Sequence, residues 1–258
     1  MLVILFLPGL GLSFSGGRGQ NVFPDSATAA GAPDIDSAKK LYDDFNADAI
    51  KSDLWEKRET GLGSTVTGKD KQIFADAINN LNGDDGEAEL RFKNSSFQAF
   101  QVDVKIVSFE GEVENCRVYL KGKAYNFKGR NLENTEGEVS VALYLRADGK
   151  VKYFVYACEQ EGGCYEDGTL IKGATLTTVD PKKKHTLALG FDGTDFSFRV
   201  DRKSFAVKMD TITYPVITPG WRNPYLRSDA RGYDKNRITV TFDNVYTGSV
   251  RSIMDPSD

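Results

Sequence analysis

The chain is poor in the side chains that most often do chemistry. Its 258 residues include one histidine, three cysteines and two tryptophans. The cysteines form no CxxC pair and the only histidine is His185, which argues against zinc-type ligation. A Ser-His-Asp triad would have to use this same histidine, and no nucleophile elbow accompanies it. His185 follows Lys182, Lys183 and Lys184, and reads as a surface residue in a basic turn. An excess of positive charge is missing too. The 33 basic and 37 acidic residues are spread along the chain and give a net charge of −4. This argues against nucleic acid and anionic membrane surfaces, although a local basic patch can exist on an acidic protein.

Long apolar runs are also absent. Residues 2–12, broken by Pro8, fall short of the roughly 20 needed to span a bilayer. They fit the apolar core of a secretory signal, with Ser13 and Ser15 as small residues before a cleavage point, although no Lys or Arg precedes the run. Residues 1–20 are therefore expected as a signal peptide, and the protein as secreted, periplasmic or at the cell surface. Residues 21–40, rich in Gly, Ala, Ser and Pro, read as a flexible linker. Residues 41–250 form the folded domain and 251–258 a tail. Cys158 and Cys164 bracket a short glycine-bearing loop, and a disulfide there would contribute on the order of 2–3 kcal/mol. Cys116 is left over.

What is present is a period of two. Phe100, Val102, Val104 and Ile106 alternate with polar residues. So do Cys116, Val118 and Leu120, then Val139, Val141, Leu143 and Leu145. Leu187, Leu189 and Phe191 follow, then Phe196, Phe198 and Val200, and last Ile238, Val240 and Phe242. Such alternation describes strands with one face in a core. Asp148-Gly149 and Asp192-Gly193 are hairpin turn signals. The one helix-like stretch is residues 70–81, where Ile73, Ala77, Ile78 and Leu81 share a helical face. The pattern predicts an all-β, two-sheet antiparallel sandwich of jelly-roll type with one short helix.

Particular residues carry a family resemblance. Leu41-Tyr42-Asp43-Asp44-Phe45-Asn46 with Ser52-Asp53-Leu54-Trp55 resembles the first strand of the concanavalin A-like lectin/glucanase superfamily. The stretch from His185 to Gly193, running on to Phe196-Ser197-Phe198-Arg199-Val200-Asp201, is similar to one of its hairpins, and residues 238–246 to its closing strand. The resemblance spans about residues 41–247 and rests mostly on structural positions. It implies two curved sheets whose concave face commonly holds a glycan. It also implies a structural calcium near the paired terminal strands, where Asp44 and Asp243 are the matching acidic residues; no other cofactor is expected. Glycanases of the superfamily carry carboxylates in a pattern like E-x-D-x-x-E. Glu110, Glu112 and Glu114 have comparable spacing, but the central Asp is missing, and residues 108–115 read as a turn between strands. The strand motifs of alginate lyases with this fold are absent.

Sugar binding calls for flat aromatic faces beside charged groups. If Asp148-Gly149 is a two-residue turn, Ala147 faces Lys150 and Tyr144 faces Tyr153. Tyr144, Arg146 and Tyr153 would then share a face away from Leu143, Leu145 and Phe154, with Arg117 and Tyr119 added from the preceding strand. A second candidate is the Pro-bounded loop 219–227, with Trp221 and Tyr225. Trp55 reads as packing. The leading expectation is an exported, non-catalytic domain binding a polysaccharide or surface glycan. The alternatives are a divergent glycoside hydrolase using Glu110, Glu112 and Glu114, and a structural surface protein without a small ligand.

Overall fold

The computed structural model describes residues 38–61, 63–79, 83–125, 137–158, 168–208 and 221–255. The expected signal peptide, most of the linker, Cys164 and hence the Cys158–Cys164 bridge lie outside the described residues. Strands are numbered in chain order. The first sheet runs β13 (Lys203–Lys208), β12 (Asp195–Val200), β11 (His185–Phe191), β6 (Ala99–Glu110), β15 (Arg237–Gly248), β4 (Gln72–Ile78) and β3 (Thr65–Lys69), with β1 (Lys40–Asp43) also pairing on β15. The second runs β10 (Thr169–Thr178), β9 (Lys150–Ala157), β8 (Glu138–Arg146), β7 (Cys116–Tyr125), β14 (Arg222–Ala230), β5 (Gly86–Phe92) and β2 (Trp55–Thr60). Every described strand pair is antiparallel, and the layers pack as a jelly-roll sandwich. One helix, α1 (Val250–Met254), follows β15 and places Ile253 against Ala99 and Ala188.

The alternating apolar residues meet between the sheets. Phe100, Val102 and Val104 of β6 and Val139, Val141 and Leu143 of β8 are fully buried in one cluster. Aromatic rings close one end of it, with Phe92 4.5 Å from Trp55 and 5.1 Å from Phe100. Edge strands β2 and β13 carry Glu56, Lys57, Arg58, Lys203 and Lys208, charges that discourage pairing with another chain.

Residues 70–79 of the expected helix over 70–81 do not form a helix; residues 80 and 81 lie outside the described residues. Ile73, Ala75 and Ala77 are buried alternately on β4, which pairs with β15 on one side and β3 on the other. Asp70 and Lys71 both have positive φ and make the two-residue turn from β3. The same apolar residues fit both periods over so short a span, and the ladders on both edges decide for the strand.

The hairpin at Asp148-Gly149 exists, but its loop has three residues, with Gly149 at φ 82° and its N–H donating to Arg146 O. Leu143, not Tyr144, therefore pairs with Tyr153. A slip of one residue turns a side chain to the other face. Tyr153 enters the core 4.8 Å from Phe198, while Phe154 takes the outer face.

Trp221 is likewise no exposed ligand platform. It is 2% exposed, packs near Phe191 and Phe196, and donates its indole N–H to Gln98 O. Gly122 on β7 makes room for it, since a Cβ there would overlap the indole ring. Gly122→Ala should cost about 1–3 kcal/mol through this overlap, read as a lower urea midpoint with altered tryptophan fluorescence. Unchanged stability would show that the ring yields freely.

Candidate functional site

The outer face of the second sheet concentrates the polar chemistry of the chain. On β14, Tyr225, Arg227 and Asp229 point away from the core while Leu226 and Ala230 join it. The same alternation presents Glu87, Glu89 and Arg91 from β5, Arg117, Tyr119 and Lys121 from β7, Tyr144 and Arg146 from β8, and Lys152, Phe154 and Tyr156 from β9. Strand register lines up Glu89, Arg227, Tyr119, Tyr144 and Lys152 across five strands.

Rings and cations interleave along this band. Arg91 lies 5.7 Å from the Tyr225 ring, and Arg227 lies 5.1 Å from Tyr225 and 5.4 Å from Tyr119. Tyr119 stacks on Tyr144 at 5.1 Å, and Arg117 sits 5.8 Å from the Tyr144 ring. Phe154 follows at 5.8 Å from Tyr144 and 4.8 Å from Tyr156. Such contacts fix ring orientation, each contributing roughly 0.5–1.5 kcal/mol. Burial pushes the Tyr119 phenol up to about 12, so it stays protonated, and it accepts a hydrogen bond from Arg117 Nη1. Tyr119 and Tyr225 are buried, while Tyr144, Phe154 and Tyr156 remain partly open. These three, with Lys152, Leu170 and Thr175, line a groove of about 360 Å³.

Beside the rings is a packed ionic cluster. Arg227 reaches Glu87 at 2.5 Å, Glu89 at 3.8 Å and Asp229 at 4.0 Å. Arg91 pairs with Glu89, and Arg231 with Asp229 and Asp85. Asp229 and Glu89 are almost wholly buried. Burial raises the Glu87 and Asp85 carboxyls above the usual carboxylate range, against the pull of Arg227 and Arg231.

The sequence-predicted residues Arg117, Tyr119, Tyr144 and Arg146 do come together here, Arg146 being tied to Asp148 at 2.8 Å and Glu114 at 3.7 Å. Tyr225 also belongs to this face, on a strand rather than in a loop, and is closed between two arginines. Tyr153 borders the groove but turns its ring into the core, and Trp221 is buried against Phe191 and Phe196. Phe154, Arg227, Asp229, Glu87 and Glu89 were not foreseen. The alternation in residues 225–230, YLRSDA, is the signal that could have revealed three of the face's residues.

Glu110 ends β6 in the first sheet, and Glu112 and Glu114 lie in the turn that crosses to β7 at the rim. Their partners diverge: Lys235 for Glu110, Asn115 for Glu112 and Arg146 for Glu114. Asp44 accepts hydrogen bonds from Asn46, first from its backbone N–H, and these hold its carboxyl below the usual range. Asp243 pairs across to Asp103, and Lys184 lies against both carboxylates at 3.7 and 3.5 Å. Lys184 thus faces that carboxylate pair, and no group of three His, Cys, Asp or Glu side chains placed to hold a metal ion occurs among the described residues.

Solved structures with this fold include glycan-cleaving enzymes. An endo-acting O-glycanase of the human gut microbiota, described as initiating mucin breakdown, is 13% identical with a TM-score of 0.54, over 80% of this chain and 97% of that one. The β-glucanase of Bacillus licheniformis is 14% identical with a TM-score of 0.53, over 83% and 98%. An endo-β-galactosidase of Clostridium perfringens that releases GlcNAcα1-4Gal is 10% identical with a TM-score of 0.53, over 84% of this chain and 64% of that one. No protein-family profile and no curated protein matches the sequence. The chain shares with these enzymes the concanavalin A-like jelly-roll fold. No helix among the described residues is long and apolar enough to cross a membrane.

Proposed function

We propose that this protein is an exported, non-catalytic glycan-binding domain whose ligand lies along the outer face of the second sheet. The apolar run at residues 2–12 supports export. The observation that carries the binding reading is the ring band from Tyr225 through Tyr119, Tyr144 and Phe154 to Tyr156, opening into a groove at its β9 end. Pyranose rings offer an apolar C–H face to such aromatics, while their hydroxyls suit the neighbouring charged groups. The enzymes of like fold act on glycans, which agrees with a sugar ligand.

A binding role is favoured over cleavage. Hydrolysis needs two carboxylates about 5–10 Å apart on either side of one sugar bond. Glu110, Glu112 and Glu114 spread around a solvated turn, with Glu110 and Glu114 side chains 61% and 65% exposed. The carboxylates on the face itself are engaged by arginines or, for Glu138, by Lys123.

Tyr144→Ala should weaken binding to a retained polysaccharide by about ten-fold or more, since it removes the central open ring. Affinity electrophoresis against a panel of polysaccharides measures this, with the unfolding midpoint as control. Retention equal to the unmodified protein would remove the proposal. Retention on no glycan at all would favour a structural surface protein.

A further inference from the structure

Resting on that reading, we infer that the bound glycan is anionic, a chain whose sugars carry carboxylate or sulfate groups. Most charges on this face are compensated from within. Arg91, Arg227 and Arg231 answer Glu87, Glu89, Asp229 and Asp85, Arg146 answers Asp148, and Lys123 answers Glu138. Arg117 and Lys152 stand apart. Arg117 spends Nε on Glu114 O and Nη1 on the Tyr119 hydroxyl, and among the described residues no carboxylate lies within 4 Å of it. The Lys152 side chain has neither a hydrogen bond nor an ion pair among the described residues.

These two cations flank the open ring of the site. Arg117 lies over the Tyr144 ring, and Lys152 is the cross-strand partner of Tyr144 and lines the groove. One is on β7 and the other on β9, with β8 between. Two strand spacings and two residues along the strand place their Cα atoms on the order of 12 Å apart. That exceeds the width of a single sugar, so the pair suits charges repeated along a chain. A protein of net charge −4 that sets beside an open ring platform two cations with no carboxylate partner among the described residues has a local field there opposite to its total. A partly closed groove strengthens such charge pairing relative to open solvent.

The test is affinity electrophoresis of the full chain against polygalacturonate, dextran sulfate and a neutral β-glucan. The unmodified protein should be retained by at least one polyanion, and retention should fall steeply between about 0.05 and 0.5 M salt. Lys152→Met and Arg117→Met should each weaken polyanion binding by about ten-fold at low salt, and the loss should shrink as salt rises. Arg117→Lys keeps the charge but loses both hydrogen bonds, and should bind like the unmodified protein. Stronger retention by polygalacturonate identifies carboxylate as the anion, and stronger retention by dextran sulfate identifies sulfate. Salt-insensitive binding to the neutral glucan, unaffected by Lys152→Met, overturns this inference and leaves glycan binding standing. No retention on any of the three overturns both.

Discussion

Arg227→Met should lower the stability of the fold by about 3–5 kcal/mol, the largest loss expected of any single change on the outer face. Methionine nearly preserves the volume, so the loss is electrostatic. The guanidinium side chain is 9% exposed and is the cation shared by Glu87, Glu89 and Asp229. Burial alone pulls its proton affinity down, and Tyr225, Asp229, Glu87 and Glu89 together outweigh that and raise it. Without Arg227, Arg91 and Arg231 must hold the remaining carboxylates alone. Removing one partner of a buried ionic group leaves uncompensated charge, which costs more than the pair contributes. The check is a urea midpoint at constant m-value, with Arg227→Lys falling between the two.

The pH dependence has a definite sign. Burial already raises Glu87 with Arg227 present. A raised carboxylate favours the folded state while protonated and loses that contribution as pH rises through its raised value. Deleting Arg227 raises it further. The deficit should therefore be smallest below about pH 4 and full at neutral pH. A deficit independent of pH would mean that lost packing, not charge, is responsible.

Asp43→Ala should cost about 3–5 kcal/mol by leaving two buried donors without acceptors. Its side chain is fully buried at the end of β1. The carboxylate accepts the Trp55 indole N–H at 2.9 Å and the Phe45 N–H at 3.0 Å, and pairs with Lys51 at 2.7 Å. Phe45 has φ 52°, a left-handed conformation that the bond to Asp43 helps to hold. Alanine would release Phe45 and Trp55 together, and both belong to the aromatic end of the core. Asp43→Asn retains an acceptor but turns an amide N–H₂ towards another donor, so its loss should be intermediate. Thermal unfolding followed by tryptophan fluorescence reads all three proteins; an Asp43→Ala midpoint equal to the original would refute this role.

The residues that read as alternating strands are the residues that fill the core, from Phe100 through Phe242. Errors arose where short-range rules met a choice that only neighbours could settle. Ile73 and Ala77 suit a helical face and a strand face alike, and the flanking ladders of β3 and β15 chose the strand. Asp148-Gly149 marks a turn, but its loop length, set by Gly149 and the twist of β8 and β9, exchanged Tyr153 for Phe154. Trp221 looked exposed because its pocket beside Gly122 belongs to a strand some hundred residues earlier.

By itself the sequence determined the layers: alternation fixes which side chains leave water, because a strand has only two faces. The tertiary structure decided the site. Glu89, Arg227, Tyr119, Tyr144 and Lys152 are far apart in the chain, and only the order β5, β14, β7, β8, β9 sets them in a line. That order is chosen by how two sheets bury their inner faces, a property of the whole assembly that no local pattern carries.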